Sequence, residues 1–372
     1  PWALMVFQPL GRNGAAPCYL ARLCRHCPLR AAVTLHCPLS NTGKPSRVTV
    51  WRGMNRANLS RLPFFLVFLS FFLIMQTLNS RAKLPVDLAS MVKQYRIDHK
   101  MLLSTNPKTE KNHVQTYILH LSPANTSGVN VCAGAGNCKK ICLHFAGNPV
   151  YMTNKQAARI RRTLAFAADK QRFSRLLVCA ILDKVNKNSG APIALRLNGT
   201  SDIAWENVDF MVDAEFSTFC RRKFGHELPT GKRNIFELFN CLMADNPSLS
   251  IKFYDYTKIK RNWAECKRLG YHLTFSFDGW QNAANVKLCR EALNNGINVA
   301  AAFNIKKGRD LPRYINAGLF DDKLLGSVFA VYDGDLSDYR PNDPSYGTII
   351  GLRFKLPHGT AYTNADKAAF CI

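Results

Sequence analysis

From about residue 190 onward the chain repeats one unit: a short unbroken apolar run, a polar cluster, then a helical segment. The runs lie at 193–197, 249–254, 272–277, 297–303, 327–332 and 348–354. Helical segments lie at 235–244, 262–269, 282–294 and 311–317. A strand buried on both faces reads as a continuous apolar run, and alternation with helices indicates a parallel sheet that the helices cover. Gly270 and Gly296 stand where a helix C-cap glycine belongs. A seventh strand is expected at 114–122, where apolar and polar residues alternate over the first half. Two further helices are expected at 153–169 and at about 173–186. The pattern predicts an α/β fold, a partial or complete βα barrel of parallel strands.

In such a fold the residues at the C-terminal ends of the strands converge on one mouth. They are Asn198, Thr200, Ser201 and Asp202; Asp255, Tyr256, Thr257 and Lys258; Ser276 and Asp278; Asn304 and Lys306; Asp333 and Asp335; and Lys355. Asn198, Ser201, Asp202, Asp255, Lys258, Ser276 and Asp278 are the expected substrate-binding set. Helix capping competes for single residues, above all Asp202, Asp278 and Asp333.

The strand at 114–122 leads through a turn-rich stretch into Cys132, Cys138 and Cys142, spaced C-x5-C-x3-C around Gly134 and Gly136. Three thiolates on one glycine-rich loop suit a soft metal or three corners of an iron–sulfur cluster. A structural zinc site normally takes four ligands in two close pairs, and no second pair follows. His144 and Cys371 are the fourth-ligand alternatives. A third reading has only a tight turn with incidental thiols. The body's nine cysteines are an odd number, mostly single in apolar contexts, which suits a reducing cytoplasm and not a disulfide framework.

At 372 residues the chain has room for one large or two medium domains. Its formal net charge is +25, unevenly spread. The first acid is Asp87, where average usage would have placed roughly 10 acids already. Residues 1–83 hold 11 Lys and Arg, and Cys18, Cys24, Cys27 and Cys37, with no amphipathic period. This segment is expected to be non-globular. It reads as a basic arm, as a targeting segment, or as upstream sequence read through in frame, with Met54, Met75 and Met91 as alternative starts. The apolar stretch 62–78 is marginal for a membrane span, which needs ~20 residues. It is the one anchoring alternative to a cytoplasmic protein. Residues 84–113 read as a mixed lead-in, and 114–372 as the α/β domain. Together, residues 84–372 keep a surplus of 14 positive charges, which suits a nucleic-acid or nucleotide partner. Lys155, Arg159, Arg161 and Arg162 form a basic helix face that would steer it.

The body resembles the bacteriophage gene product 88 family. The resemblance rests on the cysteine loop 132–147 and on Arg196-Leu-Asn-Gly-Thr-Ser-Asp202, Phe253-Tyr-Asp-Tyr-Thr-Lys258 and Ser276-Phe-Asp-Gly279, in that order. It implies no established activity. The cysteine pattern and the βα repetition are in turn similar to radical S-adenosylmethionine enzymes, an analogy of fold and metal. C-x5-C-x3-C departs from the C-x3-C-x2-C of those enzymes, and Leu143 stands where they commonly carry an aromatic residue. The resemblance also implies a cysteine-rich tail, so truncation after Ile372 is expected.

The leading expectation is an enzyme with a [4Fe–4S] cluster on Cys132, Cys138 and Cys142, with S-adenosylmethionine as its partner molecule, acting on a nucleotide or nucleic-acid-related substrate. The alternatives are a non-enzymatic nucleic-acid-binding protein with structural zinc, and an accessory protein anchored through 62–78. Oligomeric state is open.

Overall fold

A computed structural model describes residues 20–23, 33–36, 48–50, 82–105, 114–145, 153–189, 191–320, 323, 325–344, 346–355 and 362–372. The chain divides into two compact units, 1–78 and 79–372. In the first, three short strands, β1 (Leu20–Leu23), β2 (Val33–His36) and β3 (Val48–Val50), pair antiparallel in that order. They are the described part of the segment read as non-globular. The apolar stretch 62–78 and the four N-terminal cysteines lie outside the described residues. Among the described residues no helix is long and apolar enough to cross a membrane.

The second unit is a mixed α/β domain on a nine-stranded sheet. It begins with α1 (Val86–Tyr95), α2 (His99–Leu102), β4 (Leu103–Ser104) and β5 (Gln115–Leu119). There follow α3 (Cys138–Ile141), α4 (Thr153–Ala168), α5 (Lys170–Lys187) and β6 (Ile193–Arg196). A ribbon of β7 (Phe210–Val212) and β8 (Gly231–Arg233) flanks α6 (Ala214–Phe224). Then come α7 (Ile235–Asp245), β9 (Ile251–Thr257), α8 (Trp263–Arg268), β10 (Tyr271–Ser276), α9 (Ala283–Asn294) and β11 (Val299–Phe303). β12 (Tyr314–Asn316), β13 (Val328–Asp333), β14 (Ile349–Arg353) and α10 (Asn364–Phe370) end the chain.

The sheet runs β4-β5-β6-β9-β10-β11-β14-β13-β12. Seven strands are parallel; the short edge strands β4 and β12 pair antiparallel. From β5 to β11 each new parallel strand is added on the same side of the last. Right-handed crossovers that always step the same way put their helices on one face. Residues of α4 to α7 accordingly share a buried cluster with Ile193, Leu195, Ile251, Phe253 and Leu273. Further along, Cys289, Ala292 and Leu293 of α9 pack on Phe275, Val299, Ala301, Phe303 and Ile349. The alternate residues Ala194 and Tyr254 lie in a separate cluster with Tyr339. Among the described residues no pairing joins β4 to β12, so the sheet has two ends there and the complete barrel form of the expectation is not found.

The βα runs fall where the sequence predicts them, with one exception. The helix expected at 311–317 is instead β12 and a 3-10 turn at Ala317–Leu319. Ile315 is buried while Tyr314 and Asn316 are exposed, a period of two. β12 is held by antiparallel pairing of Tyr314–Asn316 with Val328–Ala330.

α10 returns to the cysteine loop. Lys140 pairs with Asp366 at 2.9 Å, and Phe370 lies 5.2 Å beneath the Lys258 ammonium. Gly279 makes this approach feasible: its φ is +99°, and a Cβ there would run into the Ala369 carbonyl. Gly279→Ala is therefore expected to cost about 1–3 kcal/mol. It should also expose the C-terminal helix to limited proteolysis. An unchanged urea midpoint would show that α10 does not depend on this contact.

Candidate functional site

The loop that follows β5 reaches across the C-terminal ends of β6, β9 and β10. It is fastened at each crossing. Asp202, after β6, donates its backbone N–H to the Val131 carbonyl at 2.8 Å. Gly134 lies flat on the chain after β9, where a Cβ would come within 2.9 Å of Lys258 Cβ and carbonyl oxygen. A Cβ on Gly136 would meet the Asp278 carboxylate.

Asp278 is the principal anchor. It is fully buried after β10, and its two oxygens accept the backbone N–H groups of Asn137 (3.0 Å) and Cys138 (3.1 Å). These are the first amides of α3, unsatisfied within so short a helix. The capping alternative, in which Asp278 caps the helix that follows it, is corrected: Asn282 is the N-cap there, and the Asp278 carboxylate caps the short helix carrying Cys138. Asn282 donates to the same carboxylate at 3.0 Å, and the Lys258 ammonium stands 3.4 Å from it. Lys258 also donates to the Phe277 carbonyl at 2.8 Å and to the Ser276 hydroxyl at 3.1 Å.

A second network lies below. The Arg261 guanidinium, 1 % exposed, binds Glu206 through Nη1 and Asp202 through Nη2, each at 2.9 Å. Its Nε donates to Thr257 at 3.1 Å. The other Asp202 oxygen accepts the Lys258 backbone N–H at 2.7 Å. Asn198 gathers the 198–205 turn by accepting from Ser201, the Ile203 amide and Trp205 Nε1. Asp255 is fully buried on the helix side of the sheet and accepts the amides of Leu197 and Asn198 and the Tyr271 hydroxyl.

The seven expected substrate residues therefore separate. Lys258 and Asp278 join the cysteine loop directly, and Ser276 joins it only through Lys258. Asp202, with Arg261 and Glu206, braces it. Asn198, Ser201 and Asp255 shape the end of β6. Asp333 and Asp335 instead bind Arg353, at 2.8 and 3.4 Å.

Burial lifts the Asp255 carboxyl from 3.8 to about 7, against the pull of Arg196 and of its three donors. The folded chain then holds this proton more tightly than the unfolded chain. Its contribution to stability is present below about pH 4 and is lost as pH rises to about 7. Asp255→Asn is expected to remove that slope. Subtracting the variant's unfolding free energy from the wild type's across this range checks it, and a flat difference would contradict the buried carboxyl.

The Cys138 and Cys142 thiols are hydrogen-bonded to each other. The bond from Cys142 draws Cys138 down to about 7, assisted by the nearby Lys258 charge and opposed by burial. Cys142 is pushed up by the same bond and by burial. Cys132 is raised to about 11, chiefly by burial, and its Sγ turns to the Thr200 carbonyl at 3.6 Å. Among the described residues no three His, Cys, Asp or Glu side chains are grouped so as to hold a metal ion. Two thiols touch and the third faces backbone. The donor set itself, three free thiols flanked by cations, has the chemistry of a soft-metal site. His144 donates its amide to Cys142 Sγ at 3.5 Å, while its ring bonds Arg159. Cys371 is buried at the end of α10.

The basic helix face turns inward. Arg159 is buried against His144, and Arg162 donates to the carbonyls of Met101 (2.6 Å) and His120 (3.4 Å). Lys155 remains exposed. The pairing of Arg159 with His144 beside Cys142 has no signal in sequence spacing. The cross-sheet anchoring by Asp278 has one: a carboxylate at a strand end opposite a glycine-rich loop.

A family model described as gene product 88 matches residues 95–372. No curated protein and no solved structure matches the chain.

Proposed function

The chain belongs to the bacteriophage gene product 88 family, and we propose that it is a metal-dependent enzyme built on an open arc of a βα barrel. Cys132, Cys138 and Cys142 would hold a [4Fe–4S] cluster at the C-terminal ends of the parallel strands. The observation that carries this reading is a single loop bearing three free thiols, two of them in contact, that Asp278, Lys258 and Arg261 hold in place. A cluster with three protein ligands, when bound, supplies one-electron chemistry to a partner such as S-adenosylmethionine. The chain's own residues position the loop: Asp278 holds the Cys138 amide, and Lys258 and Arg159 place positive charge beside Cys138 and Cys142. Cys132 would turn from Thr200 to complete the set. The substrate class is nucleotide-like, in keeping with the positive surplus of the body. The free thiols suit a host cytoplasm.

The second reading, a nucleic-acid-binding protein with structural zinc, draws on the same thiols and charge. It predicts affinity for DNA or RNA that falls steeply with salt.

Anaerobic purification of the full chain with Cys132, Cys138 or Cys142 replaced singly by alanine separates these outcomes. Each replacement is expected to abolish metal binding. Metal content that survives Cys138→Ala would place the metal elsewhere, and zinc retained by the wild type in place of iron would favour the second reading.

A further inference from the structure

The sheet face turned away from the main helices carries polar side chains that the cysteine site does not use. Register sets Tyr254 beside His272 and Tyr256 beside Thr274 on β9 and β10. On the other side of β9 stands Arg196 of β6. Its guanidinium carbon is 5.6 Å from the Tyr254 ring centroid and 5.2 Å from that of Tyr256. Tyr339 packs edge-on against Tyr254 at 5.6 Å, and the fully buried Arg340 is matched by Asp343 at 3.0 Å.

Arg196 has no such match. Among the described residues its guanidinium makes no ion pair with a carboxylate, and its buried Nε has no hydrogen-bond partner. Asp255 and Asp338 attract it from farther off, but the Asp255 oxygens are taken by two amides and Tyr271. The hydroxyl of the fully buried Thr274 and Nε2 of His272 also lack partners among the described residues. Burial and Arg340 hold His272 down at about 4, so it meets a ligand as a neutral ring. An unmet buried polar group costs about 1–3 kcal/mol. Several on one face of adjacent parallel strands, around a cation without a counter-ion, describe a receptor for an anion. The guanidinium fork matches carboxylate and phosphate oxygens two at a time. Two flanking tyrosine rings hold it ready.

We propose that this face binds a small anionic molecule, its carboxylate or phosphate group on Arg196 between Tyr254 and Tyr256, with His272 and Thr274 completing the contacts. This narrows the substrate class proposed above to a small anion and rests on that reading of the chain as an enzyme, though not on a metal.

Isothermal titration of the full chain with inorganic phosphate, and separately with acetate, tests it. Saturable binding of at least one anion is expected, phosphate marking a phosphate ester and acetate a carboxylate. Arg196→Gln is expected to weaken it at least about tenfold. Arg222→Gln, at an exposed arginine of α6, should leave it unchanged. Cys138→Ala should bind as the wild type does, so loss of metal and loss of the anion are read apart. If Arg196→Gln loses the wild-type circular dichroism spectrum, Arg196→Lys keeps the charge without the fork and is expected to bind more weakly. No saturable binding of either anion, equal affinity in wild type and Arg196 variants, or binding lost in Cys138→Ala alone would overturn the proposal.

Discussion

Replacing Asp278 with alanine is expected to cost the fold about 3–5 kcal/mol and to release the cysteine loop. The carboxylate is fully buried and is matched by the Lys258 ammonium at 3.4 Å. Removing it strands that charge among neutral carbonyls. The amides of Asn137 and Cys138 lose their acceptor at the same time. Typical domains are stable by only 5–15 kcal/mol, so a large share of the total is at stake. Urea unfolding reads the stability, and hydrogen exchange at the Asn137 and Cys138 amides reads the loop. Asp278→Asn keeps an acceptor oxygen and should protect one of these amides better than alanine does. Protection unchanged in Asp278→Ala would show that the loop is held by something else.

Arg261→Met should cost a comparable 3–5 kcal/mol or about that, by a different route. Here one cation neutralises two carboxylates, Glu206 and Asp202, each at 2.9 Å. Methionine fills most of the volume but leaves both acids buried against each other. Asp202 also holds the Lys258 and Val131 backbones, so cysteine-loop exchange should quicken too. A destabilisation below about 1 kcal/mol, the scale of an exposed ion pair, would mean that the network is solvated.

The strand and helix order was legible because apolar runs bounded by turn residues and helical periods report burial directly. β12 escaped because Tyr314, Ile315 and Asn316 are too few to separate a period of two from a helical turn. The polar inner face escaped for a related reason. In 251–257 burial does not follow a clean period of two, because Tyr254 is buried along with Phe253 and Asp255, so Tyr254 and Tyr256 hide among Ile251 and Phe253. Arg196, at the end of its run, reads as an ordinary strand terminus. Spacing located the cysteine loop, and the strand-end rule located Lys258, Ser276 and Asp278 near it. Whether such groups meet a substrate or the protein's own backbone depends on distances across 140 residues of sequence, as for Asp278 and Cys138. Local pattern carries no such information. The inward turn of Arg159 and Arg162 is likewise set by tertiary packing, since an amphipathic helix with a basic stripe looks the same with either face covered.

An iron–sulfur cluster on Cys132, Cys138 and Cys142 is proposed. The most direct measurement is iron, sulfide and zinc content per chain, with a visible spectrum, on the full chain purified without oxygen. A brown protein with about four irons and four sulfides per chain, the content of one [4Fe–4S] cluster, is the predicted result. A colourless protein with stoichiometric zinc, or with no metal and a Cys138–Cys142 disulfide on exposure to air, would contradict it.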